Sequence, residues 1–354
     1  MDVGNLEPAQ RILVNRYLDW ELVDARLDRY PSICRNFYDD QLRRCANEPP
    51  YYCHHLAWRL GTYRSNQSHP IFARFNDLLS HAAALPGWEH ERRRLMPDCT
   101  YEQFWSVLWQ LQVAGVFERD DCRVEWLKDG PDLRAEIDGA QCFVECYAFQ
   151  KSFGAAQFVR ELFGHLSDQI EVSHRWYLPM SLPKNKEMNQ FLDELFRPCL
   201  DAEWLAEKEA EAQESWPVFL PVPEGTRNCQ VYVKGPSAAY DPSRLQSAAG
   251  NPDAYLAVMI AEIINNKRRA NNLAGRRPNV VMANCILGPD FQSAVSRAVR
   301  LKQDFRNPDL GGELDALVIN FCGIDDVPSP TNAISWWSKS TAGHHPFLKV
   351  WPHA

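Results

Sequence analysis

On either side of Asp138-Gly139 the chain alternates apolar and polar positions, and this alternation predicts a β-hairpin over Asp132–Ile137 and Ala140–Phe149. Asp-Gly is the strongest short hairpin signal, because both central residues of a type I′ turn need positive φ. A two-residue loop there pairs Ile137 with Ala140, Ala135 with Cys142 and Leu133 with Val144. All of these residues are apolar, so they form one buried face. The same register sets Glu136 opposite Gln141, Arg134 opposite Phe143 and Asp132 opposite Glu145. Like charges directly opposite, with Cβ atoms roughly 4.5–5.5 Å apart, destabilise a sheet. The pair of acids therefore calls for compensation, by a divalent cation or by a basic side chain.

Upstream of the hairpin, Thr100 suits the N-cap of an apolar helix over Tyr101–Val113, in which Trp105 and Trp109 stand at helical spacing and read as core. A strand over Arg123–Leu127 follows it. After the hairpin the pattern predicts a helix over Ala155–Ile170, a strand over Arg175–Met180, and short strands over Val218–Val222 and Gln230–Lys234. The acidic run from Asp201 to Glu214 reads as a solvated helix. The last third is the most regular. Asn251-Pro252-Asp253 caps a long helix running to Ala274, with Gly275 as its stop signal. Asn279–Leu287 and Leu314–Phe321 are apolar strands on either side of an amphipathic helix at Phe291–Phe305. Strand–helix–strand with unbroken apolar strands argues for a sheet covered on both faces, hence an α/β fold.

Residues 1–98 read as helical. Ile12, Leu13, Tyr17, Trp20, Leu22 and Val23 follow a period near 3.6, and Phe72–Ala84 repeats the pattern more weakly. Pro49-Pro50 and Pro70 break this region into short pieces. The expected organisation is a helical region at 1–98, an α/β domain at 99–325 with an acidic insertion at 183–228, and a C-terminal tail at 326–354. That tail, with Trp336-Trp337 and His344-His345, shows no clear pattern.

Composition narrows the classes. The 354 residues are 45% hydrophobic and 24% charged, ordinary values for a globular chain, and the formal charge of −8 leaves any nucleic-acid contact to local patches. Met1-Asp2-Val3-Gly4 begins neither a basic nor an apolar leader region. The best apolar run, Tyr255–Ile264, is broken by Glu262 and falls short of the roughly 20 residues of a membrane helix. Eleven cysteines without close repeating spacing fit reduced thiols, so a cytoplasmic location is expected. Cys34, Cys45, Cys53, His54 and His55 do not have finger or ribbon spacing and read as buried thiols and ordinary histidines rather than zinc ligands. Cys142 and Cys146 fall on the hairpin's apolar face and read as core. No Gly-rich phosphate loop, nucleophile elbow or dinucleotide fingerprint appears.

A helix, a hairpin carrying Pro131-Asp132 and then Glu145-Cys146-Tyr147, a later helix with Lys267, and the strand at Pro278-Asn279-Val280-Val281 resemble the PD-(D/E)xK restriction-endonuclease-like nuclease superfamily. The likeness spans residues 100–322. It implies a mixed restriction-endonuclease-like sheet flanked by helices, and a metal-dependent nuclease cutting phosphodiesters of DNA. In that family the acidic pair, here Asp132 and Glu145, binds Mg²⁺ (or Mn²⁺) together with the carbonyl of the residue after the glutamate, here Cys146. A glutamate of the first helix often joins the site, and Glu102 matches it. Mg²⁺ suits such a site, taking a few carboxylates, waters and phosphate oxygens, lowering the pKa of a bound water and stabilising charge on the phosphate. The implied partner is nucleic acid, with room for a protein partner or a homodimer and none for a membrane.

The family's lysine, two residues after the glutamate, is Tyr147 here, and a phenol with a pKa of about 10 offers a hydrogen bond instead of a fixed charge. Lys151 lies on the same face but about 13 Å further along the strand. Lys267 is the better substitute by analogy with lysine migration in the superfamily. This departure supports an alternative, a catalytically degenerate nuclease-fold protein that binds nucleic acid or a partner protein. Plainer readings stand beside each residue. Arg134 is within reach to bridge Asp132 and Glu145. Glu102 suits the first turn of any helix, and Lys267-Arg268-Arg269 and Arg276-Arg277 suit a helix C-terminus as well as phosphate contact. Glu91-Arg92-Arg93-Arg94 reads as a solvated helix face.

Overall fold

The computed structural model describes residues 20–37, 60, 70–95, 101–118, 122–149, 169–174, 198–221, 229–241, 243, 260–285, 310, 312–322, 327–340 and 343–352. The chain divides into two compact units. One comprises residues 1–26, 40–68 and 151–255, the other residues 27–39, 69–150 and 256–354.

The second unit holds a mixed six-stranded sheet. Its strands are β1 (Cys122–Trp126), β2 (Leu133–Ile137), β3 (Ala140–Phe149), β7 (Asn279–Cys285), β8 (Ala316–Asn320) and β9 (Ala333–Trp337), in that spatial order. β1, β2 and β3 form an antiparallel meander, β3, β7 and β8 run parallel, and β9 pairs antiparallel with β8. The hairpin register is the one the turn dictates: Ile137 faces Ala140, Ala135 faces Cys142 and Leu133 faces Val144. Asp138 and Gly139 have φ of 49° and 80°, as a type I′ turn requires. Leu133, Ala135, Ile137, Cys142 and Val144 are buried, whereas Ala140 is exposed at the turn. Burial raises the Cys142 thiol well above its usual range, which suits a core residue.

β8 is buried from end to end, and β7 is buried over residues 279–284, as parallel strands covered on both faces must be. The first described helix is α1 (Trp20–Leu27), and α2 (Pro31–Phe37), α3 (Pro70–Ala82), α4 (Trp88–Leu95) and α5 (Tyr101–Val116) belong to this unit. α5 packs on β3, and its Trp109 indole donates a 2.8 Å hydrogen bond to the Met282 carbonyl of β7. Trp105 and Trp109 are both core. In α4, Glu91 is fully buried, so the expected solvated face is corrected there: the helix turns this acid inward.

Where the ladder between β7 and β8 stops, asparagine side chains continue it. Asn279 Oδ1 accepts from the Asp315 N–H and the Asn279 N–H donates to Asp315 Oδ2, both at 3.0 Å. The Asn279 amide donates to the Arg276 and Glu313 carbonyls at 2.9 Å. At the other end Asn284 exchanges two 3.0 Å bonds with the Cys322 backbone. A carboxamide carries the same donor and acceptor as a peptide group, so it closes a rung the backbone cannot reach.

Two further sequence expectations change in this unit. The long helix to Ala274 is interrupted. Residues 260–265 are helical, Asn266 leaves the helix, and α7 (Lys267–Leu273) starts afresh with Asn266 as N-cap, its side chain accepting from the Arg269 N–H. Gly275 follows with φ of 69°, a usual stop. The C-terminal tail, without a clear pattern in the sequence, supplies edge strand β9 and a 3-10 turn at Pro346–Lys349. There Phe347 stacks on Trp351.

In the other unit, β4 (Ile170–His174), β6 (Cys229–Val233) and β5 (Val218–Leu220) form a three-stranded antiparallel sheet in the order β4-β6-β5. Ile170 opens a strand there and does not close a helix, because it pairs with Val233. α6 (Ala202–Ser215) is the acidic helix, capped by Asp201, which accepts from the Glu203 and Trp204 N–H groups. The body of the helix expected at Ala155–Ile170, the strand at Arg175–Met180 and the helix at Phe291–Phe305 lie outside the described residues, as do residues 9–19, Cys45, Cys53, His54, His55 and Lys151.

His345 ties the tail to the sheet and does so as a neutral ring. Its Nε2 lies 3.1 Å from the Asn279 carbonyl, and its Nδ1 accepts from the Phe347 N–H. Only the tautomer protonated at Nε2 satisfies both. Burial lowers its pKa below the ordinary 6.5, opposed by the Asn279 carbonyl and Asp315. The unfolded chain therefore binds the proton first as pH falls below 6.5, and stability present above that pH is lost below it. We expect His345→Gln to flatten the fall in urea midpoint between pH 7.5 and pH 5. The contribution of this one group to the slope cannot exceed about 1.4 kcal/mol per pH unit. Identical slopes in wild type and variant would show that His345 does not titrate with unfolding.

Candidate functional site

The β2–β3 ladder stops at Leu133–Val144, and the reason is a proline. Two residues further in the same register, Cys146 would stand opposite Pro131, which has no N–H to donate. The Asp132 carboxylate takes over. Its Oδ2 accepts from the Cys146 N–H at 2.7 Å, while Oδ1 accepts from the Gln110 amide of α5 at 2.9 Å. The backbone carbonyl of Asp132 turns the other way, accepting from the Leu127 N–H at 3.1 Å. Asp132 is 7% exposed. In an extended strand the N–H and C=O of one residue point to the same edge, so the Cys146 carbonyl also faces the Asp132 side.

The turn before this aspartate is held from the segment that leads into β7. Gly130 has φ of 101°, and Arg276 Nη1 donates to the Asp129 carbonyl at 2.7 Å. A Cβ on Gly130 would lie 1.3 Å from that nitrogen, so only glycine admits the guanidinium.

Glu145 follows directly along β3. Its Oε1 accepts from the Asn272 amide of α7 at 3.0 Å. One turn earlier on the same helix stands Arg269, 5% exposed, whose Nη2 donates to the Ile264 carbonyl and so caps the preceding helical turn. Burial lowers its pKa, opposed by the nearby Glu145 and Glu313 carboxylates. Tyr147, at the position of the family's lysine, donates to Glu262 at 3.0 Å. Burial raises its phenol far above the usual range, and Glu262 raises it further. That position therefore carries no positive charge.

The sequence-predicted residues thus separate. Asp132, Glu145 and the Cys146 backbone lie at one ladder end. Arg134 does not bridge the acids; it pairs with Glu125 of β1 at 2.5 Å. Glu102 lies in the first turn of α5 and Lys267 opens α7, and the side chains of both lie outside the described residues. Among the described residues no group of three or more His, Cys, Asp or Glu side chains is arranged to hold a metal ion. No described helix is long and apolar enough to cross a membrane. The sequence reading passed over Gln110 and Asn272, weighed Arg269 only for phosphate contact, and took Glu262 only as a break in an apolar run. Gln110 left a signal, a polar residue inside a strongly apolar helix; the others acquire their meaning from long-range packing alone. Comparison of the chain with protein-family models, with curated proteins and with solved structures finds no match.

The expected repulsion of the two acids is met first by neutral donors, two amides and one backbone N–H, and at longer range by Arg269. This accounting is testable without any metal. Asp132→Ala leaves the half-buried Cys146 N–H and the buried Gln110 amide without their acceptor, and should lose about 2–4 kcal/mol of stability. Asp132→Asn keeps an acceptor for Cys146 and, with the Gln110 amide turned over, a donor for its oxygen, so its loss should stay below about 1 kcal/mol. Urea unfolding in chelator separates them; equal losses would refute the assignment of both hydrogen bonds.

Proposed function

We propose that the chain is a divalent-metal-dependent nuclease of restriction-endonuclease type, acting on phosphodiester bonds of DNA, with Asp132 and Glu145 as metal ligands and the Cys146 carbonyl as a third. The observation that carries this reading is the ladder end. A proline stops pairing beside an aspartate, and the carbonyl after the glutamate turns to the same edge, the oxygen-rich arrangement a hard cation takes. The mixed sheet, with its hairpin beside parallel strands, supports the same reading. The fit is chemical: carboxylate and carbonyl oxygens are what Mg²⁺ and Mn²⁺ select, and a metal there would supply a water of lowered pKa and charge stabilisation at the phosphate. This chain's residues would orient the ion. Gln110 holds one Asp132 oxygen and Asn272 one Glu145 oxygen, so both carboxylates have fixed directions.

The second reading, a degenerate nuclease fold that binds nucleic acid or a protein, is favoured by Tyr147. Its neutral phenol is committed to Glu262 and supplies no cation beside the acids.

Calorimetry with Mn²⁺ and a plasmid-nicking assay decide between them. Wild type should bind Mn²⁺, and Asp132→Asn or Glu145→Gln should abolish that binding while remaining folded. Nicking by wild type, lost in both variants, supports the nuclease. Binding without nicking, with activity gained in Tyr147→Lys, supports the degenerate fold. Equal Mn²⁺ affinity in wild type and Asp132→Asn removes the metal site altogether. If Lys267 supplies the charge, Lys267→Ala should retain metal and lose about 10²–10³ in rate, the usual scale for one charge stabiliser.

A further inference from the structure

An open sheet edge presents a row of backbone groups to any strand that can pair with it, and the six-stranded sheet finishes its two edges differently. β1 is covered at Trp126. The Trp126 N–H donates to the Pro86 carbonyl at 2.8 Å. The turn at Gly87 packs so closely that a Cβ there would lie 2.2 Å from the Trp126 carbonyl oxygen. Arg123 and Glu125 add charge along the same strand. β9 has none of these guards. Among the described residues no strand lies beyond it, and Ala333-Ile334-Ser335-Trp336-Trp337 carries neither a charge nor a proline.

The ladder to β8 fixes which groups point outward. The Phe321 N–H donates to the Asn332 carbonyl at 3.0 Å and the Ser338 N–H to the Asp315 carbonyl at 2.8 Å. In this register the even-numbered residues of β9 bond to β8, so Ala333 and Ser335 turn both N–H and C=O to the open edge. That spacing is complementary to itself. An antiparallel copy centred on Ile334 sets Ala333 opposite Ser335 of the second copy, and all of these groups are paired. The flanks match as well. Val327, 56% exposed, lies at the start of the strand, where its carbonyl accepts from the Asn332 amide at 3.4 Å. Half-buried Trp337 lies at the far end. Antiparallel pairing brings each Val327 to Trp337 of the other copy. No acid occurs from Val327 to Ser340, and Lys339 falls at opposite ends of the paired strands. We propose that the chain forms a twofold dimer through β9, joining two six-stranded sheets into one continuous sheet. Self-pairing is favoured over an unrelated strand because it matches the apolar start to the aromatic end on both sides of the axis. The proposal is independent of the metal reading, since it involves neither Asp132 nor Glu145.

Sedimentation equilibrium of the full chain, from about 1 to about 200 µM, should show a reversible monomer–dimer equilibrium, with the micromolar dissociation constant of a small interface. Hydrogen exchange read by mass spectrometry over the same series should slow in the β9 segment as the dimer forms. Val327→Lys, an exposed change that leaves the core intact, should weaken the dimer at least about tenfold, since symmetry places it in the interface twice. Ser335→Pro removes an outward N–H from each copy, at a position where an edge strand tolerates proline, and should leave a monomer. A chain monomeric throughout the range, a dimer of unchanged affinity in either folded variant, or a dimer whose β9 amides exchange as fast as in the monomer would each overturn the proposal. So would a monomer with β9 already protected, because the chain itself would then cover the edge.

Discussion

Buried backbone groups at the ends of the sheet must be paired where the strands themselves no longer reach one another, and the second unit is organised around that constraint. An unpaired buried peptide group costs about as much as a lost hydrogen bond. β7 meets the demand with Asn279 at its start and Asn284 near its end, each exchanging two bonds with the chain beyond β8. Further groups then gather on Asn279. Its amide holds the Glu313 carbonyl, its own carbonyl receives the His345 ring, and Asp315, which it pairs, also meets Arg277. The placement of the C-terminal segment follows from one asparagine at a ladder end.

The Asp132 end obeys the same rule with a different side chain. Pro131 has no N–H to offer the Cys146 carbonyl, so the rung fails, and the next residue turns in a carboxylate that serves as acceptor for the Cys146 N–H. An asparagine could have filled that role, as it does on β7. A carboxylate brings charge into a place that is almost fully buried, and burial of charge is expensive unless it is paired or hydrogen-bonded. A purely structural cap has no need of that charge. Its presence, with a second acid on the neighbouring strand, is what gives the ladder end a chemical reading beyond packing.

Much of this unit was legible in the sequence, because the strongest constraints were local. Asp138-Gly139 sets the turn, the turn sets the register, and the register decides which residues are buried. The apolar runs of β7 and β8 announced parallel strands in the same way. What stayed hidden was decided at long range. β9 is five residues with an alternating burial pattern, too short to stand out among prolines and serines. The break at Asn266 leaves the apolar period of the helix almost untouched, so hydrophobic patterning cannot detect it; the N-cap asparagine is its only trace. Glu91 carries a charge pattern typical of solvated helices and is nevertheless buried. The carboxylates of the candidate site were found by register, while their donors Gln110 and Asn272 lie on helices 22 and 127 residues distant in sequence.

The balance of charge around Glu145 sharpens the question of what this site does. A lysine at Tyr147 would have set a cation on the same strand face as Glu145. The tyrosine instead joins Glu262, another acid, and stays neutral. Arg269, a described cation that feels the charge of Glu145, is anchored through Nη2 to the end of the preceding helical turn. A guanidinium held by a helix carbonyl cannot swing toward a phosphate without uncapping that turn. Its charge offsets Glu145 from a fixed position. Arg269 is therefore better suited to holding the charge balance around Glu145 than to direct work on a substrate.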